Sequence, residues 1–100
     1  MTVFALSLPA MGQAMHETPE IEAALSGRSV VYGDGVVQSF DASGETVYGT
    51  SRGRWAARGG SYCSLWPPSD DWACYRVTRI EGGIRFTDGA GRVFDGTYQK

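Results

Sequence analysis

The chain has 100 residues, 20% of them charged and 42% hydrophobic, with a formal net charge of −2. That length suits one domain, and the composition excludes both intrinsic disorder and a bundle of membrane helices. The small negative charge provides no basic field to attract nucleic acid or anionic lipid. Gly at 14 residues and aromatics at 12% are the informative excesses, implying many turns and bulky side chains around a small core.

Residues 2–11 form an uncharged, largely apolar run, followed by Gly12-Gln13-Ala14 with small residues at the −3 and −1 positions of a cut after Ala14. This is the layout of a signal-peptide core and cleavage site. It is too short to span a bilayer, which needs about 20 apolar residues. No Lys or Arg precedes the run, so the expectation includes a true start upstream of Met1. The competing reading is a buried amphipathic helix. It is disfavoured because the apolar residues do not share one helical face and Pro9 would interrupt the helix. The domain reading is therefore a leader over 1–14, a short linker and helix over 15–27, and a single antiparallel β-domain over 28–98. A periplasmic or secreted location follows.

Thr18-Pro19-Glu20 has the composition of a helix start, with a hydroxyl N-cap, proline at the first position and an acid in the first turn. Ile21, Ala24 and Leu25 share a face, and Gly27 is placed to end the helix. Two turns do not stand alone in water. The helix is expected to lie as a lid on something else.

From Arg28 the period changes to two. Strands are expected at 29–32, 36–40, 46–48, 53–58, 61–65, 72–78, 84–87 and 92–98, separated by glycine-rich turns such as Asp41-Ala42-Ser43-Gly44 and Asp88-Gly89-Ala90-Gly91. Connections this short permit only antiparallel neighbours. The fold class is mainly β: an up-and-down meander that closes as a small barrel or folds as a sandwich. Closure is favoured because it removes exposed edges. Strands of about five residues stand roughly 17 Å tall, and an eight-stranded barrel is just wide enough for side chains to fill it. Phe40, Tyr48, Trp55 and Phe86 are the expected fillers. A packed interior is therefore expected in preference to a roomy cavity.

Cys63 and Cys74 are the only cysteines. An even count in a short exported chain favours one disulfide, here within a hairpin. The alternative is a pair of buried free thiols in a cytoplasmic protein. A metal site is poorly supported, since His16 is the only histidine and lies far away in sequence. No cofactor is expected.

The stretch Tyr62-Cys63-Ser64-Leu65-Trp66-Pro67-Pro68, continuing through Ser69-Asp70-Asp71-Trp72 to Ala73-Cys74-Tyr75, resembles a group of small exported bacterial proteins of unknown function. Gly53-Arg54-Trp55 and the closing Gly96-Thr97-Tyr98 extend that resemblance over roughly residues 20–98. The resemblance implies a lipocalin-like or avidin-like β-domain and an exported location. It brings no activity, and the ligands of the longer avidins and lipocalins do not transfer.

Catalysis has little to work with, because the β-region contains no histidine to activate a nucleophile. Asp34, Asp41, Asp88 and Asp95 sit in or beside glycine turns, where Asp usually serves the backbone. Residues 41–45 lack the ligand spacing of a calcium loop. Arg52, Arg54 and Arg58 could make a small anion patch but read more simply as solvated outward positions.

Trp66, Pro67, Pro68, Asp70, Asp71 and Trp72 form the best recognition candidate, with Arg54 on the nearby strand. They combine rigid aromatics, a stiff diproline and two acids above the expected disulfide. The structural reading, in which Trp66 and Trp72 plug the barrel end and shield the disulfide, is the stronger of the two. The leading functional expectation is a non-catalytic exported domain acting through protein or envelope contacts at this loop. The alternative is a small-ligand binder of lipocalin-like type, and a carboxylate-dependent hydrolase is remote.

Overall fold

The computed structural model describes residues 13–100. The chain begins with strand β1 (Gln13–Met15) and helix α1 (Thr18–Leu25), followed by eight strands. These are β2 (Arg28–Tyr32), β3 (Val37–Phe40), β4 (Glu45–Tyr48), β5 (Ser51–Arg58), β6 (Ser61–Leu65), β7 (Ala73–Ile80), β8 (Gly83–Thr87) and β9 (Val93–Tyr98). Each of the eight pairs antiparallel with the next, and β9 returns to β2 through Val30–Tyr98 and Val31–Thr97. The meander is a closed eight-stranded barrel.

Turn chemistry sets the strand register. In Asp41–Gly44 and Asp88–Gly91, the first carbonyl accepts the glycine N–H at 3.0 Å, and the Asp carboxylate accepts an N–H two residues on. Both glycines adopt positive φ, +98° and +87°. This is the geometry of a type I turn closed by a left-handed residue. Asp34 likewise accepts the Val36 N–H at 3.0 Å. Asp95 differs: it lies within β9 and pairs across the strands with Arg85 at 2.7 Å.

The helix starts one residue earlier than its sequence suggests. Glu17 is the N-cap, and its N–H donates to the Glu20 carboxylate at 3.3 Å in a capping box. The Thr18 hydroxyl instead accepts the N–H of Gly60 at 3.4 Å. Gly60 has to be glycine, because a Cβ there would collide with the His16 carbonyl and its φ is +75°.

Strand β1 is absent from the sequence reading. It pairs with the second half of β7, Met15 opposite Val77, beyond the point where β6 leaves that edge. Residues 1–12 of the expected leader lie outside the described residues. Gln13 and Ala14 lie within β1, so a cut after Ala14 would leave only Met15 on β7.

Burial follows the strand alternation except in β6, where Tyr62, Cys63 and Ser64 are buried in succession. Phe40 packs against Trp55, Tyr62 and Phe86 with ring centroids 5.8, 5.7 and 6.1 Å away. Helix α1 adds the fully buried Ile21 and Leu25 to the core containing Val30, Val77 and Ile84. The Tyr98 hydroxyl donates to the Ala24 carbonyl at 2.8 Å, tying β9 to the helix. The helix therefore packs into the barrel core as a lid.

The hairpin of β6 and β7 carries the Cys63–Cys74 disulfide, with the two residues directly opposite and their Cα atoms 4.0 Å apart. Tyr62 and Ser64 line the interior, so alternation turns the disulfide to the opposite face of the strands, where Cys63 is buried and Cys74 exposed. Closing a loop of this length contributes roughly 2–3 kcal/mol. Replacing both cysteines by serine is expected to lower the urea unfolding free energy by that amount while keeping the β-rich circular dichroism spectrum. An unchanged midpoint would contradict the assignment.

Candidate functional site

The barrel interior is not filled throughout. An open cavity of about 700 Å³ occupies the part that the helix and core do not fill. This corrects the expectation of a packed interior, for two physical reasons. Strands β5 and β7 run eight residues each, longer than the expected 53–58 and 72–78 and than the typical strand of about five residues. Tyr48, an expected core filler, stands at the cavity wall with 39% of its surface exposed.

The floor of the cavity is a hydrogen-bonded network centred on Gln38, which is 4% exposed. Its orientation follows from a backbone carbonyl. The Ser39 carbonyl can only accept, so the Thr46 hydroxyl donates to it at 2.7 Å. Thr46 must then accept from Gln38, which places the amide nitrogen on that side, 2.9 Å away. The second amide hydrogen goes to the Tyr62 hydroxyl at 3.0 Å. The amide oxygen accepts from the Tyr32 hydroxyl at 2.6 Å. Among the described residues no buried side-chain polar atom lacks a partner.

Burial raises the pKa of both phenols. Tyr62 is pushed up to about 12, despite opposing hydrogen bonds from Ser64 and Gln38. Tyr32 is raised too, by burial first and by the neighbouring tyrosines second. Both stay neutral across the physiological range.

The walls are aromatic. Tyr75 packs edge-on against Phe86 and against Phe94, which is 41% exposed at the mouth. Trp66 lines the opposite wall, held by three contacts. Its indole N–H donates to Ser64 Oγ at 3.1 Å, Tyr48 meets it edge-on at 6.3 Å, and its ring lies against the β5 backbone at Gly53. A Cβ on Gly53 would come within 2.6 Å of the indole and 2.5 Å of the Leu65 carbonyl. Glycine is needed there for close approach.

The structure divides the recognition candidates named from sequence. Trp66 and Pro67 line the cavity, and Pro67-Pro68 is joined by a cis peptide bond. Pro68, Asp70 and Asp71 are exposed on the loop. Trp72 lies beneath the Arg58 guanidinium, 4.6 Å from ring centroid to the Arg58 Cζ, and does not line the cavity. Arg54 is exposed and also outside the cavity, while nearby Arg52 pairs with Glu45 at 3.0 Å.

Tyr32, Gln38, Tyr62, Ser64, Tyr75 and Phe94 were not singled out from sequence. Gln38 had a legible signal, as it shares strand parity with Phe40 and so brings a polar group to an inward position. Among the described residues, the only charged ones on the cavity wall are Asp34 and Asp95, already engaged by the Val36 N–H and by Arg85. Among the described residues, no group of three or more His, Cys, Asp or Glu could hold a metal ion, and no helix is long and apolar enough to cross a membrane. Comparison with protein-family models, curated proteins and solved structures finds no significant match for the chain.

The buried phenols imply an alkaline limit to stability. Unfolded tyrosines ionise near 10.0, whereas Tyr62 holds its proton to about 12. The unfolded chain therefore loses protons first, and stability present below pH 10 is lost as pH rises toward 12. Urea midpoints measured across that window are expected to fall, and to fall less steeply in Tyr62→Phe. Equal slopes would contradict the burial of this hydroxyl.

Proposed function

We propose that the chain is a non-catalytic binding domain that takes up a small, mainly apolar molecule in the open cavity of its barrel. The observation that carries this reading is the cavity itself. Its volume of about 700 Å³ falls within the range of small-molecule sites, and aromatic walls with a few fixed polar groups are their usual lining. The loop at Trp66–Trp72 contributes through Trp66 and Pro67. Its two tryptophans do not share one surface, which favours the cavity over a docking patch built from the whole loop.

The disulfide supports an oxidising compartment outside the cytoplasm, since such bonds seldom persist in reducing cytosol. Together with the apolar run at residues 2–11, this favours export to the periplasm or medium. The resemblance to small exported lipocalin-like proteins agrees with that location and fold.

Two measurements test the proposal. Native mass spectrometry of protein purified from its own source is expected to show added mass from a retained molecule. Titration with the neutral fluorophore N-phenyl-1-naphthylamine is expected to raise probe emission and change Trp66 fluorescence. Trp66→Ala, which removes the indole from the cavity wall, should weaken probe binding by about tenfold if the lost packing is worth about 1.4 kcal/mol. A bare mass combined with no change in probe emission would overturn the reading.

A further inference from the structure

We propose that the cavity selects an uncharged ligand whose buried end both donates and accepts a hydrogen bond, a hydroxyl or a carboxamide, carried on a flat apolar body. This rests on the reading of the cavity as a ligand site and adds the chemistry of the head group.

The Tyr32 hydroxyl gives its only proton to the Gln38 amide oxygen, so toward the cavity it offers lone pairs. Tyr62 and Ser64 are in the opposite position. Tyr62 oxygen accepts from Gln38, and Ser64 oxygen accepts from the Trp66 indole. Between them these two hydroxyls hold two protons and can spend only one on each other. One O–H therefore remains available to the cavity, whichever of the two carries it. Tyr32, Tyr62 and Ser64 all line the cavity, so an acceptor and a donor are presented side by side.

Charge narrows the choice further. Among the described residues no Lys, Arg or His lines the cavity, and the carboxylates on its wall are Asp34 and Asp95. An anionic head would meet Tyr32 lone pairs below and these acids at the rim, with no cation to offset its desolvation. A cationic head would leave the floor donor unmet and lose its own hydration. A purely apolar end would bury the free O–H and the Tyr32 lone pairs without partners, which is also unfavourable. Only a neutral head with both functions satisfies the floor.

The test compares four probes with the same ring: 2-naphthol, 2-methoxynaphthalene, 2-naphthoate and 2-naphthylmethylammonium, titrated at pH 7 by isothermal calorimetry. 2-Naphthol is expected to bind about tenfold more tightly than 2-methoxynaphthalene, the order expected for one hydrogen bond, and more tightly than either ion. Tyr32→Phe takes away the hydroxyl acceptor and leaves only the deeper Gln38 amide oxygen, so it should narrow the gap between 2-naphthol and 2-methoxynaphthalene. Gln38→Leu should remove the same preference by freeing both tyrosine hydroxyls to rotate. Since Tyr32 lies at the cavity wall, its Phe variant keeps the test available if the core variant does not fold. Equal affinity for all four probes, or tightest binding of either ion, would overturn the head-group inference while leaving the cavity reading intact. Binding of none of the four would overturn both.

Discussion

A primary amide inside a barrel brings two donors and an acceptor that water can no longer reach, and each buried group left unmet costs about 1–3 kcal/mol. Gln38 meets all of these needs with side chains from separate strands: Tyr32 on β2, Thr46 on β4 and Tyr62 on β6. The bonds form only if β2, β3, β4 and β6 keep their registers around the closed barrel. A slip of one residue would turn each of these side chains to the outside. The same network marks the boundary between the two parts of the interior. On one side α1, Phe40 and Trp55 make a closely packed core. On the other, the hydroxyls of Tyr32 and Tyr62 border open space.

That boundary explains how so small a domain can hold both a core and a cavity. The helix supplies Ile21 and Leu25, so the strands need not fill the barrel alone. The disulfide lies on the strand face turned away from the cavity, where it adds stability without occupying the interior. The cavity wall is extended by Trp66, which depends on the missing side chain at Gly53. Function in this reading is what remains when stability is supplied by the opposite end and by that strand face.

Much of this architecture could be read from the residues. Alternation in Gly53–Arg58 and Ile84–Thr87, with the Asp-x-x-Gly turns, placed the strands and their antiparallel order because both signals are local. The Asp34, Asp41 and Asp88 carboxylates serve turn backbone, as their neighbouring glycines implied. Strand β1 was not legible, since Gln13-Ala14-Met15 has no alternating pattern and pairs only because β6 leaves half of β7 open. The cavity was not legible either. Its volume depends on how far the core fills the barrel and on where Trp66 comes to rest, and both are set by contacts distant in sequence. Trp66 and Trp72 looked like one surface in the sequence, yet only Trp66 lines the cavity.

The three tryptophans provide a direct test of where a ligand sits. Trp55 donates its indole N–H to the Asp41 carbonyl in the core, Trp66 donates to Ser64 in the cavity, and Trp72 lies beneath Arg58 outside it. In a ¹H–¹⁵N correlation spectrum, with indole signals assigned from single Trp→Phe variants, titration of 2-naphthol is predicted to move the Trp66 signal together with the side-chain amide of Gln38. The Trp72 signal should stay in place. Movement of Trp72 alone, with Trp66 and Gln38 unaffected, would contradict a ligand site inside the barrel.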